Sequence, residues 1–168
     1  MNAWAAEALQ LTCGDCMSPE VITIDPNSPL LEAARLMREL RIGALPVCQG
    51  SATVPGLLGM VTDRDIVVRV IAEDLDIEQV QVGEVMSSPV IYCYQDESPW
   101  VALHLMEQHL IRRLPVVDRE TRRLVGMVSI GDLSRIHAPD QDAPQKPQLW
   151  KDRVVEVMGV LRGFSQLR

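Results

Sequence analysis

Gly59-Met60-Val61-Thr62-Asp63-Arg64-Asp65 and Gly126-Met127-Val128-Ser129-Ile130-Gly131-Asp132 are two versions of one motif. Each runs an apolar stretch into a hydroxyl residue followed three positions later by an aspartate. Upstream, Leu45-Pro46-Val47 precedes the first copy and Leu114-Pro115-Val116 the second. Further out, Met17-Ser18-Pro19 is matched by Met86-Ser87 with Pro89. The outer matches share an offset of 69 residues (17 to 86, 45 to 114), and the glycine motifs one of 67 (59 to 126). The loop before Gly59 is therefore two residues longer than its counterpart. A duplication of this length means two similar supersecondary units, expected to pack around a pseudo-two-fold axis. Small molecules tend to bind in the clefts such pairs create.

Periodicity gives the elements of each unit. Val21–Ile24 is a β-branched run stopped by Asp25-Pro26 and reads as a strand. Ser28 is placed to cap a helix with Pro29 at its first position, and Leu30, Ala33, Ala34, Met37 and Leu40 recur at helical spacing up to Gly43. Strands are expected over 45–47 and 57–61, then a helix from Thr62 to about Glu73. The second unit repeats the order: strand 90–93, helix from Ser98 to about Leu110, strands 114–117 and 124–128, and a helix after Ser129. Each unit is thus β-α-β-β-α. Residues 3–10 read as a short helix, and 138–148, with Pro139, Pro144 and Pro147, as a solvated linker. A last helix over 149–162 aligns Trp150, Val154, Val157, Met158 and Leu161 on one stripe, whose expected cover is the chain's own module or its dimer mate. The expected divisions are 1–12, a first repeat 13–74, a linker 75–82, a second repeat 83–137, the linker 138–148 and a C-terminal helix within 149–168.

Composition narrows the function. A repeat of roughly 55–60 residues holds a marginal core alone, so the halves need each other. Of the 168 residues 47% are hydrophobic, and the formal net charge of −7 argues against a nucleic-acid or anionic-membrane surface. No apolar run approaches the ~20 residues of a membrane span. Glu7 and the lack of a basic leading region exclude a signal peptide, and four cysteines without one suggest a reducing cytoplasm.

A hydroxyl three residues before an acid, just after a strand, is the pattern of a helix capping box. On spacing alone that is the more economical reading of Thr62/Asp65 and Ser129/Asp132. A second reading stays open beside it: two helix N-termini at matched places favour phosphate, and a nearby carboxylate accepts hydrogen bonds from ribose hydroxyls.

The Met-Ser-Pro segments, the Leu-Pro-Val strands and the paired Gly-Met-Val endings, in this order, resemble tandem cystathionine-β-synthase (CBS) domains over about residues 13–137. The resemblance implies an α/β (α+β) pair, a Bateman module, with two clefts for adenine-containing ligands such as AMP, ADP, ATP, S-adenosylmethionine or NADH. No obligatory cofactor is implied. In the family the hydroxyl meets phosphate and the aspartate holds ribose, which carries onto Thr62 with Asp65 and onto Ser129 with Asp132. The family's clefts draw on both repeats. Arg112, Arg113 and Ile91 then join the Thr62/Asp65 pocket, and Ile22, Ile42 and Gly43 join the Ser129/Asp132 pocket. Two guanidiniums able to fork onto phosphate make the first pocket the stronger. The resemblance further implies a non-catalytic sensor that modulates a separate protein, and a homodimer built on helix positions such as Leu30, Ala34, Met37, Val101 and Leu105.

Cys13-Gly14-Asp15-Cys16 offers another class of function, a zinc- or thiol-dependent protein. A lone CxxC is a weak signal, since Cys48 and Cys93 stand apart in strands and read as small buried hydrophobes. A third reading is a structural dimerisation module with empty clefts. His104, His109 and His137 sit at no ligand spacing, and no nucleophile–base pair or triad is evident, so no catalytic residue is expected. Trp100, in a helix's first turn, is expected to pack against protein.

Overall fold

A long helix, an antiparallel strand pair and a short capped helix recur twice in the fold, in the same order. A computed structural model describes residues 11–50, 56–136 and 146–166. The expected helix over 3–10, the longer loop at 51–55, His137 and most of the expected linker 138–148 lie outside the described residues. In order, the elements are α1 (Cys13–Cys16), α2 (Leu30–Leu40), β1 (Ala44–Gln49), β2 (Gly56–Thr62), α3 (Asp63–Arg69) with a 3-10 turn at Ile71–Glu73, and α4 (Val82–Val85). There follow β3 (Cys93–Tyr94), α5 (Pro99–His109), β4 (Arg113–Val117), β5 (Leu124–Ser129), α6 (Ile130–Ser134) and α7 (Lys146–Gln166). β1 and β2 pair antiparallel, as do β4 and β5, and β3 adds to β4 in parallel. This is the mixed helix and strand content of an α+β fold.

The described chain forms two compact units, Val21–Val90 and a second that joins the segment ending at Glu20 to the chain from Ile91 onward. Each has its own apolar cluster. In the first, Leu30, Ala33 and Met37 of α2 pack with Leu45, Val47, Val61, Ile66 and Val70. In the second, Ala102, Leu103 and Met106 of α5 pack with Leu114, Val116, Val128 and Leu133, and α7 adds Trp150, Val154, Val157 and Leu161. The stripe expected on the last helix therefore covers its own module.

The spatial units are not the sequence repeats, because the leading segments are exchanged. Met86-Ser87, which opens the second repeat, bridges to β2 of the first through Ser87 N–H to Met60 O (2.7 Å) and Met60 N–H to Ser87 O (3.1 Å). Met17-Ser18 does the same on β5, with Ser18 N–H to Met127 O at 2.8 Å. The glycine of each motif is what admits the crossing chain. A Cβ on Gly59 would stand 2.8 Å from both Met86 Sδ and Ser87 O, and one on Gly126 would stand 3.0 Å from Ser18 O.

Several boundaries differ from expectation, each for a local reason. Val21–Ile24 is no strand: only Ile24 bridges, to Val47, because Asp25 opens an Asx turn (Asn27 N–H to Asp25 Oδ1, 2.8 Å) and Pro26 has no N–H to pair. The expected strand at 90–93 is Cys93–Tyr94. α5 starts after Ser98, where a helix was expected to begin, and Ser98 caps it, its Oγ accepting from Trp100 N–H at 3.3 Å, but Ser28 does not cap α2. The Leu30 N–H there goes to Val80 O (2.9 Å), a partner far along the chain. Neither α2 nor α5 ends on a glycine: Arg41 and Leu110 take the left-handed C-cap at φ 55°. α7 starts at Lys146, inside the expected linker, because Pro147 falls in a first turn, where its missing N–H costs nothing. α1 and α4 were missed although Thr12-x-x-Asp15 and Gln81-x-x-Glu84 carry the same capping spacing as Thr62-x-x-Asp65.

Candidate functional site

Strands β2 and β5 deliver Thr62 and Ser129 to the same conformation, with φ/ψ of −123°/161° and −118°/161°. At the first, Thr62 Oγ1 accepts from Asp65 N–H (3.1 Å), and Asp65 Oδ2 accepts from Thr62 N–H (2.9 Å) and Oγ1–H (2.7 Å). At the second, Ser129 Oγ accepts from Asp132 N–H (3.2 Å), and Asp132 Oδ2 accepts from Ser129 N–H (2.8 Å) and Oγ–H (2.5 Å). Both are full capping boxes. The capping bonds use one oxygen of each carboxylate and leave Oδ1 for another partner.

That second oxygen distinguishes the two sites. Asp132 Oδ1 is bound by the Arg135 guanidinium. Among the described residues Asp65 Oδ1 is met by Arg69 Nε at 3.5 Å, and the Arg69 guanidinium makes its shorter bond, 2.7 Å, to Val85 O. The Asp65 oxygen is thus the freer acceptor. Neither arginine was singled out from the sequence, although their spacing four and three residues after an aspartate on a helix is that of a side-chain pair.

The turns before β1 and β4 are pinned to the same helix starts: Asp63 N–H donates to Gly43 O (3.2 Å) and Ile130 N–H to Arg112 O (2.9 Å). Arg113 opens β4 directly opposite Ser129 in the ladder, as Ala44 opposes Thr62. The Arg112 side chain does not stay free: its Nη2 donates to Leu161 O of α7 at 3.0 Å. Ile22 is 48% exposed, whereas Ile91 packs against its unit's core.

The cysteines are packed rather than poised. Cys13 and Cys16 are the two ends of α1. Cys13 is buried, its Sγ donating to Ser98 O (3.6 Å), and the hydrogen-bonding Cys93 thiol and then burial push its pKa up. Burial pushes the Cys16 and Cys48 thiols up to about 11. Among the described residues no group of three or more His, Cys, Asp or Glu is placed to hold a metal ion. A thiol that ionises near 9.0 in the unfolded chain and near 11 when folded makes the unfolded state shed protons first. Stability is therefore full below about pH 9 and falls as pH rises towards about 11. Melting curves from pH 8 to 11 check this, and Cys48→Ala is expected to flatten the alkaline decline.

His104 and His109 are exposed on α5. Trp100 packs edge-on against Trp150 with ring centroids 4.7 Å apart. No helix among the described residues is long and apolar enough to cross a membrane.

The CBS domain family model matches residues 13–72 and 82–138. The chain belongs to the CBS domain family. CBS domain-containing protein YhcV of Bacillus subtilis is 43% identical over 120 residues, 71% of this chain and 81% of that one. A crystal structure of hypoxic response protein I with two coordinated zinc ions matches at 38% identity and a TM-score of 0.66, covering 74% of this chain and 97% of that one. The CBS domain pair of protein MJ0100, in complex with 5′-methylthioadenosine and S-adenosyl-L-methionine, matches at 30% identity and a TM-score of 0.63, covering 74% and 93%. These matches agree with the α+β CBS pair fold that the resemblance implies.

Proposed function

We propose that this CBS pair is a cytoplasmic, non-catalytic sensor of an adenosine-containing ligand that modulates a separate protein. The observation that carries the reading is the pair of matched hydroxyl–aspartate boxes whose second carboxylate oxygen is left over from capping. A CBS pair 30% identical to this one is held in complex with two adenosine derivatives. Asp65 and Asp132 accept from ribose hydroxyls, Thr62 and Ser129 lie beside phosphate, Ile22 and Ile91 line adenine, and Arg112 and Arg113 bind phosphate oxygens, with Gly43 in the other pocket's turn. AMP, ADP, ATP, S-adenosylmethionine and NADH are the ligands to test. A ligand at 100 times its dissociation constant adds about 2.7 kcal/mol to stability, which a thermal-shift panel reads. No shift with any of the five supports a structural module with empty clefts.

The freer Asp65 oxygen makes its pocket the tighter one. Hydrogen bonds to a charged group contribute about 1.5–3 kcal/mol, so Asp65→Ala is expected to weaken AMP binding roughly 10- to 100-fold by calorimetry. Asp132→Ala, whose second oxygen Arg135 already occupies, is expected to matter less. Replacing Arg112 and Arg113 together with alanine weakens AMP but spares adenosine. A greater loss from Asp132→Ala, or an equal loss of adenosine in the arginine variant, refutes the assignment. A double-mutant cycle of Asp65→Ala with the arginine pair tests whether they share one ligand.

Zinc is the second reading, because the 38%-identical hypoxic response protein I holds two zinc ions. Metal analysis of the purified protein, with Cys13→Ser and Cys16→Ser as comparisons, decides it.

The module is proposed as a homodimer. Of the helix positions first suggested for the contact, Leu30 and Met37 are buried in their own unit's core and are not available. Exposed apolar side chains remain at Val67, Val68, Ile71 and Leu75. A dimer at tens of micromolar by sedimentation is expected, with Ile71→Asp shifting it towards monomer. A wild-type monomer refutes it.

A further inference from the structure

The crossing segment Val85–Ser87 is held within the first unit in two ways. Its backbone bridges to β2 through the Ser87 and Met60 amides, at 2.7 and 3.1 Å. Its other grip is Arg69 of α3, whose Nη1 donates to Val85 O (2.7 Å) and Met86 O (3.3 Å) and whose Nη2 donates to Ser87 Oγ (3.4 Å). Val85 ends α4, so these are carbonyls that a helix leaves over at its C-terminus, where a cation also meets the negative end of the peptide dipoles. The remaining edge of the guanidinium faces back along α3, with Nε 3.5 Å from Asp65 Oδ1. A guanidinium carries five N–H donors in one plane, so both edges are used at once. The second unit lacks this link. Four residues after Asp132 stands Ile136, which is buried and has no side-chain donor to offer Cys16-Met17-Ser18.

The Asp65 side chain is 14% exposed, so its second oxygen depends on what the protein places beside it. With Val85–Ser87 docked, the carbonyls hold the guanidinium at a distance, and Oδ1 remains a good acceptor. With the segment undocked, Arg69 has lost those acceptors and is free to close on the carboxylate, as Arg135 closes on Asp132. A closer cation makes Oδ1 a poorer acceptor for a hydroxyl without excluding it. A ligand that needs Oδ1 therefore binds the docked state more tightly, the difference in affinity that a ligand-driven shift requires. The geometry points to Arg69 as the positioning residue of this site: it joins the orientation of Asp65 to the docking of Val85–Ser87, so that a ribose on Asp65 tightens the crossing segment and a loosened segment weakens the ribose. The inference rests on Asp65 being a ribose acceptor. It adds where occupancy is felt, on the stretch just before the chain leaves this unit after Val90. Such coupling is reciprocal, each event favouring the other by the same factor.

Hydrogen exchange on the full chain tests it, with AMP and its 2′,3′-dideoxy analogue as probes. The Met60 and Ser87 amides report the bridge on β2, and the Met127 and Ser18 amides report the matching bridge on β5 as an internal control. Saturating AMP is expected to slow exchange at Met60 and Ser87 several-fold. The dideoxy analogue, which lacks the hydroxyls that Asp65 accepts from, is expected to leave it unchanged. Without ligand, Arg69→Gln is expected to speed exchange at Met60 and Ser87 several-fold with the control bridge unmoved, and to weaken AMP binding several-fold. Arg69→Lys, which keeps the charge but not the two-edged fork, falls between. If AMP binds the wild type but leaves exchange at Met60 and Ser87 unaltered, the coupling is overturned and the ribose reading of Asp65 survives. If Arg69→Gln keeps both the ligand-free bridge and the AMP affinity of the wild type, Arg69 positions neither and the inference falls alone. If AMP does not bind the wild type, the ribose reading fails and takes the coupling with it.

Discussion

Trp150→Ala is expected to destabilise the protein by about 3–5 kcal/mol, the range for removing a large aromatic from a packed core. Trp150 is 1% exposed, donates to the Leu133 carbonyl and packs edge-on against Trp100. The substitution opens a cavity where α7 meets α5 and α6, and it leaves the Leu133 carbonyl without that donor. At roughly 2–4 °C per kcal/mol for a chain of this size, the melting temperature falls by roughly 10 °C. Trp150→Phe keeps most of the apolar contact but loses the hydrogen bond, so it is expected to cost about 1–3 kcal/mol. Val155→Ala is the control: Val155 is 68% exposed on the opposite side of α7, and its loss is expected to fall within about 0.5 kcal/mol. If Trp150→Ala melts as the wild type does, α7 is not docked through Trp150.

Gly59→Ala and Gly126→Ala are expected to cost about 1–3 kcal/mol each, the usual range for overfilling a packed site. The added methyl on Gly59 meets Met86 Sδ and the Ser87 carbonyl at 2.8 Å. The sulfur can swing aside, but the carbonyl is fixed by its bond to Met60 N–H, so relief requires breaking the bridge that joins the exchanged segment to β2. Gly126→Ala meets Met17 Cγ at 2.7 Å and the Ser18 carbonyl at 3.0 Å. Met86→Ala combined with Gly59→Ala is expected to recover part of the loss but not all, because the carbonyl clash remains. Gly159→Ala, in α7 with nothing within 4 Å of the added carbon, is expected to stabilise by about 0.5–1 kcal/mol. Denaturant midpoints of the four variants check the set, and a harmless Gly59→Ala would mean that Met86-Ser87 does not lie on β2 as described.

The fold was legible wherever the signal was local. The repeat of Gly-Met-Val with Thr62/Asp65 and Ser129/Asp132 located two strand-to-helix junctions, and both are capping boxes, because the motif closes hydrogen bonds between residues three apart. Helix α5 was read, from Ser98 to about Leu110, because the order of the first repeat recurs there, and the stripe on α7 announced a buried face. Ser28 failed as a cap because the partner of Leu30 N–H is Val80, fifty residues away. The strand at Val21–Ile24 failed because a strand exists only where a neighbour offers matched donors and acceptors, and here Ile24 alone finds them.

The sequence by itself determined the duplication, the helix–strand–strand–helix order that recurs in each repeat, the family and the residues able to cap and to accept, since these depend on spacing along the chain and on side-chain chemistry. Only the tertiary structure decided that each repeat's leading Met-Ser lies on the other repeat's glycine strand, that Arg135 occupies Asp132 more closely than Arg69 occupies Asp65, and that Leu161 holds Arg112. These depend on which backbone groups remain unpaired after local structure forms and on which distant segment comes close enough to satisfy them. Spacing alone does not encode that choice.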